Sequence, residues 1–186
     1  MRVTGGQFGG RRLGVPRGGR LRPTQDRVRG ALFSMLAEIV PGARVLDLFA
    51  GTGAVGFDAL SRGAAATVWV EADRRHSLAL KANLAALGAA GGTVVCCEAL
   101  RWLQTAAVES FDLVFADPPY DWAREHGFAG LADVLRARGW VRPAGWFVVE
   151  QGADLAAPAL DGWKLVRDRA YGQTRLAVNR LEASDR

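Results

Sequence analysis

The segment Asp47-Leu-Phe-Ala-Gly51-Thr-Gly53-Ala-Val-Gly56 decides the fold. It places a GxGxxG spacing directly after the apolar run Val45–Phe49 and directly before a helical pattern over 55–61. Glycines at such a strand-to-helix turn let the backbone reverse tightly and approach a ligand closely. Glu71 ends the next apolar run, 20 residues after Gly51, where a carboxylate can accept both hydroxyls of a ribose. The pattern fits a dinucleotide or a nucleoside such as S-adenosylmethionine. Two features favour the latter. Asp47 lies at the strand end, where it can hold the cationic amine of a methionine moiety. A long segment also precedes this strand, whereas a dinucleotide fold usually begins with it.

Outward from the turn, the chain alternates strands and helices. Strands are predicted at 67–71, 93–97, 111–116 and 146–150, and helices at 74–87, 99–107 and 128–137. Two alternating strands, 163–169 and 174–181, close the chain around Tyr171-Gly172. Strand–helix alternation implies a doubly wound parallel sheet, and the terminal hairpin an antiparallel edge. The fold class is therefore α/β, with seven strands. Upstream, glycine pairs in residues 1–21 suggest a small hairpin or loose ribbon, and Thr24 reads as the N-cap of an amphipathic helix running to about Val40. The expected division is a basic extension over 1–40, suited to contact with nucleic acid, followed by the main domain over 41–186.

Composition narrows the class. The 186 residues are 49% hydrophobic and 23% charged, enough to bury a core. No run is long and apolar enough to span a bilayer, and the start lacks the apolar region of a secretory signal. A cytoplasmic protein with no membrane contact is expected. Cys96 and Cys97 are adjacent and read as core thiols. His76 reads as facing outward on its helix and His126 as a loop residue, so no metal site is expected. The net charge is +5, yet residues 1–29 hold eight arginines against Asp26 alone, which makes that segment +7 and leaves −2 for the rest. An Arg- and Gly-rich arm on a nearly neutral body suits phosphate binding.

The loop Asp117-Pro118-Pro119-Tyr120 follows the fourth strand, so it belongs to the ligand-binding end of a parallel sheet. Two prolines fix the backbone and remove two donors, leaving the Asp117 carboxylate and the Pro118 carbonyl as paired acceptors for one amino group. Paired acceptors favour the pyramidal nitrogen that attacks a methyl sulfonium. Tyr120 offers a face on which an extruded base can stack. Trp122 and Phe128 read as lid packing with a lesser claim to base stacking.

With these motifs in view, the body resembles the class I S-adenosylmethionine-dependent methyltransferases that carry an Asp/Asn-Pro-Pro-aromatic motif. The whole chain is similar to the bacterial RsmD family, which methylates guanine N2 in 16S ribosomal RNA. The similarity rests on Thr4-Gly-Gly-Gln-Phe8, Gly10-Arg-Arg-Leu13, Arg22-Pro-Thr-Gln-Asp-Arg-Val-Arg29, the glycine turn, Ala59-Leu-Ser-Arg-Gly-Ala64, Glu71-Ala-Asp73, Asp117–Tyr120 and Tyr171-Gly-Gln-Thr174. It implies that Asp47, Phe49, Gly51, Gly53 and Glu71 line the cofactor site, with Glu98 and Ala99 beside the adenine. Asp117, Pro118 and Tyr120 become the catalytic set. Arg11, Arg12, Arg22, Thr24, Arg27 and Arg29 become the RNA contacts. The implied partner is 16S rRNA in the 30S subunit or a late assembly intermediate, met by a monomer. Competing readings are a DNA adenine or cytosine amino-methyltransferase, a nicotinamide-dependent oxidoreductase, and a non-catalytic RNA-binding protein of the same fold.

Overall fold

The computed structural model describes residues 1–16, 26–105 and 109–183. Arg22 and Thr24, expected as an RNA contact and a helix cap, lie outside these residues. The chain forms two compact units, residues 1–99 and 100–186.

The first unit holds helix α1 (Asp26–Met35), strand β1 (Arg44–Leu48), helix α2 (Ala54–Ser61), strand β2 (Ala66–Glu71), helix α3 (Arg74–Leu87) and strand β3 (Gly92–Cys96). The strands run parallel in the order β3-β2-β1. Leu48 pairs with Val70 and Glu71 with Cys96, so the loops after β1 and β2 leave the sheet at the same end. β1 and β2 are apolar because helices cover them. β3 is the last strand on its side, and its residues are half-buried or exposed, none of them buried. Cys96 is consequently exposed and Cys97 half-buried, which corrects the core-thiol expectation. Helix α1 ends at Met35, and the chain continues as hydrogen-bonded turns to Val40 rather than as one longer helix.

Residues 1–14 form a strap across α2 and α3. Val3 N–H donates to the Arg11 carbonyl at 3.0 Å, and Leu13 N–H to the Met1 carbonyl at 3.0 Å. Val3 and Leu13 enter one apolar cluster with Phe57, Leu60, Trp69, Leu80 and Leu87. The strap is anchored at Asp58, which has no exposed surface. One Asp58 oxygen accepts the Thr4 N–H at 2.7 Å and the Thr4 hydroxyl at 2.8 Å. Its other oxygen accepts Arg29 Nε at 2.9 Å. Arg29, equally buried, also donates to the Arg2 carbonyl at 2.7 Å and to Asp26 at 2.9 Å. A second tie joins Gly14 to the Asn83 amide, through bonds of 2.8 and 3.0 Å.

The second unit holds β4 (Phe111–Ala116), helices α5 (Tyr120–His126) and α6 (Ala129–Ala137), β5 (Val141–Gly152), β6 (Trp163–Tyr171) and β7 (Thr174–Leu181). Helix α4 (Ala99–Leu103) leads into it. Its strand order is β4-β5-β7-β6, with β4 and β5 parallel and β7 antiparallel to both β5 and β6. α5 is absent from the sequence reading because the two prolines hid its start: Pro119 is extended (φ −50°, ψ 142°) and acts as the N-cap. The fold class is α/β, with a seven-stranded mixed sheet whose parallel character ends at β7. Among the described residues, no helix is long and apolar enough to cross a membrane.

Two outcomes follow. Asp58→Ala leaves Arg29 Nε and the Thr4 donors short of their acceptor inside the core, so unfolding in urea should show a loss of about 3 kcal/mol. Asp26, held below the ordinary carboxylate value of 3.8 chiefly by the hydrogen bond from Arg2, adds stability that is complete above that value. That stability disappears as pH falls through the lowered native value. Acid unfolding should therefore be shallower in Asp26→Asn than in the native chain.

Candidate functional site

In the first unit the loop after β1 is built by backbone strain and by two carboxylates. Phe49, Gly51 and Gly53 have φ of 57°, 53° and 71°. Left-handed backbone is costly for a residue with a Cβ, so Phe49 is held there by its surroundings. At Gly53 a Cβ would come within 2.0 Å of Leu80 Cδ2, and the Gly53 carbonyl accepts Trp69 Nε1–H at 3.1 Å. At Gly56 a Cβ would meet Trp69 Nε1 at 2.2 Å, so this glycine lets α2 lie close on β2. Asp47 is buried at the end of β1, and its Oδ2 accepts the Gly56 N–H at 3.0 Å.

Glu71 joins the two loops. Its Oε2 accepts the Gly51 N–H at 2.7 Å and its Oε1 the Asp73 N–H at 2.7 Å. A carboxylate offers about four acceptor positions, so each oxygen keeps capacity toward a hydroxyl. The donor set therefore fits the expected cofactor: acceptor-only groups for a ribose diol at Glu71 and for an ammonium at Asp47, beside a loop without bulky side chains at Gly51 and Gly53. Asp73 caps α3 through the N–H groups of Arg75 and His76, and its carboxyl is held below the ordinary value chiefly by the Arg75 side chain. His76 turns its Nδ1 to within 3.9 Å of Glu71, with a side chain only 11% exposed, instead of facing outward. Beyond β3, Ala99 is buried and Glu98 exposed.

In the second unit, Asp117 is half-buried at the end of β4, Pro118 is buried and Pro119 exposed. Tyr120 opens α5, half-buried, with its hydroxyl 3.5 Å from the Gln173 carbonyl in the β6–β7 turn. Trp122 stacks on His126 with centroids 4.9 Å apart and meets the buried Phe128 edge-on. Both aromatics are packing groups.

Of the basic residues expected on RNA, Arg11, Arg12 and Arg27 are exposed, and Arg11 donates to the Ala86 carbonyl at 3.0 Å. Arg29 differs: with no exposed surface and its guanidinium engaged by Asp58 and Asp26, it is a structural cation, and the RNA-contact expectation is corrected. Asp58 escaped sequence reading, although a lone acid in the apolar stretch Ala54-Val-Gly-Phe-Asp-Ala-Leu-Ser61 was the available sign. Among the described residues, no group of three or more His, Cys, Asp or Glu side chains could hold a metal ion.

The solved structure of yhhF from Escherichia coli matches with a TM-score of 0.89 and 38% identity, covering 99% of both chains. A hypothetical protein of Thermus thermophilus matches with a TM-score of 0.80 and 35% identity, covering 98% of this chain and 99% of the other. The ribosomal RNA small subunit methyltransferase D of Escherichia coli (strain K12) is 38% identical over 184 residues, covering 98% of this chain and 91% of the relative. Fold, turn and relatives define a class I methyltransferase that uses S-adenosylmethionine, and the nicotinamide reading is set aside. Residues 1–180 match the family model described as Conserved hypothetical protein 95. The chain belongs to that family, the RsmD family of the sequence reading.

Glu71→Gln keeps the side-chain size but replaces one acceptor oxygen with a donor, so one of the Gly51 and Asp73 N–H groups loses its partner. Calorimetric titration should show S-adenosylmethionine affinity reduced by roughly tenfold or more, a difference of about 1.4 kcal/mol.

Proposed function

We propose that this protein transfers a methyl group from S-adenosylmethionine to the exocyclic N2 of a guanine in 16S ribosomal RNA. The observation that carries the reading is the rigid Asp117-Pro118-Pro119-Tyr120 corner after a parallel strand, in a chain whose relatives are named small-subunit rRNA methyltransferases. The substrate is the small subunit or a late assembly intermediate, where the target base can be turned out of its stack, and the place of action is the cytoplasm. The enzyme acts as a monomer.

Asp47 and Glu71 hold the amine and ribose ends of the cofactor, Phe49, Gly51 and Gly53 shape its loop, and Glu98 and Ala99 flank its base. When bound, the cofactor supplies an electrophilic methyl carbon on a sulfonium. Tyr120 receives the flipped guanine on its ring. The Asp117 carboxylate and the Pro118 carbonyl accept the two N–H groups of N2, which turns the nitrogen lone pair out of the ring plane and toward the methyl carbon. With the cofactor bound, the N–C bond would form as the S–C bond breaks, and the surplus proton on nitrogen would leave to water. Asp117 need not be a strong base, because the methylated nitrogen is far more acidic than the amine it came from. Positioning therefore carries most of the rate. Arg11, Arg12 and Arg27, with Arg22 and Thr24, hold RNA phosphate.

Labelled S-adenosylmethionine offered to 30S particles, deproteinised 16S RNA and DNA, followed by nucleoside mass spectrometry, tests the reading. N2-methylguanosine in ribosomal RNA is the expected product, and label confined to DNA would overturn it. Asp117→Ala should lower turnover by roughly 10²-fold or more while RNA affinity stays unchanged.

A further inference from the structure

The β6–β7 hairpin carries a second cationic surface, hidden in the linear charge count. Residues 30–186 sum to −2, yet the hairpin holds Lys164, Arg167, Arg169, Arg175 and Arg180 against Asp168 and Glu182. Arg175 is matched to Asp168, with its Nη1 at 2.7 Å from both carboxylate oxygens. Lys164, Arg167, Arg169 and Arg180 are exposed, and none of them is in an ion pair among the described residues.

The geometry gathers these charges. Lys164 and Arg167 are three residues apart, which in a regular strand would send them to opposite faces. A register shift between Leu165 and Arg167 takes up one residue, so Lys164 pairs with Arg180 and Arg167 with Val178, two positions along β7. Arg169 follows opposite Leu176. Lys164, Arg167 and Arg169 therefore share one face of the outermost strand, with Arg180 directly beside Lys164. Like charges directly opposite each other destabilise a strand pair unless an anion lies between them. Arg180 is also held in place: its guanidinium lies 5.5 Å from the Trp146 ring centroid, and its Nε donates to the Ala144 carbonyl at 3.3 Å.

We infer that this face of β6 is a docking surface for the phosphate backbone of the RNA substrate, separate from the N-terminal arm. Charge complementarity selects the partner: an uncompensated row of long cations at a strand edge matches a polyanion, and the Arg forks suit phosphate. The inference rests on the ribosomal RNA reading above for its substrate, while its test reads RNA binding directly.

The test is the triple variant Lys164→Gln, Arg167→Gln, Arg169→Gln in the full chain. Affinity for deproteinised 16S RNA is measured across a salt series, alongside affinity for S-adenosylmethionine and methyl transfer to 30S particles. RNA affinity should fall tenfold or more at low salt, and the log–log salt slope should shrink by about 2, as expected for three phosphate contacts on single-stranded RNA. Cofactor affinity should not change, which also reports that the variant is folded. The doubly conservative Arg167→Lys, Arg169→Lys protein should retain the native slope. An unchanged slope and affinity in the triple variant would overturn the proposal, as would self-association of that variant with RNA binding intact, which would make the cations guards of an open strand edge. Loss on 30S particles alone, with naked RNA bound normally, would point to a ribosomal protein as the partner and overturn it too. Failure of the native enzyme to methylate rRNA, with the salt effect present, would reject the substrate reading and leave this surface standing.

Discussion

The Asp58 carboxylate, buried with the Arg29 guanidinium, is the constraint on which the first unit depends. Ion pairs sealed from water contribute little net stability, because desolvation offsets most of the attraction, but removal of either partner leaves a charge that the interior cannot tolerate. The pair therefore acts as a condition on the fold. α1 must present Arg29, α2 must present Asp58, and the strap must bring Thr4 to the same carboxylate. Asp58 stands one turn into a helix that begins at the glycine loop. The element that carries the N-terminal strap is thus also the element that fixes the loop expected to hold the cofactor.

That loop is organised by acceptors rather than by apolar packing. Asp47 and Glu71 receive backbone N–H groups from Gly56, Gly51 and Asp73, and each of these bonds fixes a peptide plane where a regular strand has ended. The carboxylates thus define the backbone around them, and Glu71 keeps lone pairs for a ligand. Preformed acceptors of this kind need little rearrangement when a ligand arrives, which is the usual way a small site gains affinity without many contacts. The proline corner in the second unit achieves a similar rigidity by different means, through ring-restricted φ angles.

Much of this was legible in the residues. The parallel strands announced themselves as short apolar runs, α3 ran from the expected Arg74 to the expected Leu87, and the β6–β7 turn fell at Gly172-Gln173, one residue beyond the expected Tyr171-Gly172. The glycine spacing and the acid 20 residues beyond Gly51 marked the loop, because those features are local in sequence. What the sequence hid was set by distant partners. Arg29 stood among arginines that looked alike, and only Asp58, 29 residues on, distinguishes it as buried. Cys96 looked like a core residue because its strand is apolar, but strand order places β3 at an edge. The short helix α5 lay behind two prolines, which read as a loop until Pro119 is seen to serve as its cap. Lys164 and Arg167 could not be put on one face from spacing alone, since a bulge has no clear signature in this stretch.

The strap also has a bearing on the order in which the chain is made. Its anchors lie far along the sequence: Thr4 bonds to a residue 54 positions later, Gly14 to one 69 later, and Arg11 to one 75 later. During synthesis residues 1–14 lack the Asp58 anchor until α2 has been made and the Asn83 and Ala86 anchors until α3 is complete, and closing such long loops is slow compared with forming a helix. Until those segments are made, this arginine-bearing stretch lacks its distant anchors. It becomes a structural strap only when the second half of its unit arrives. The buried acid of α2 thus bears on when, as well as where, the strap can be fixed.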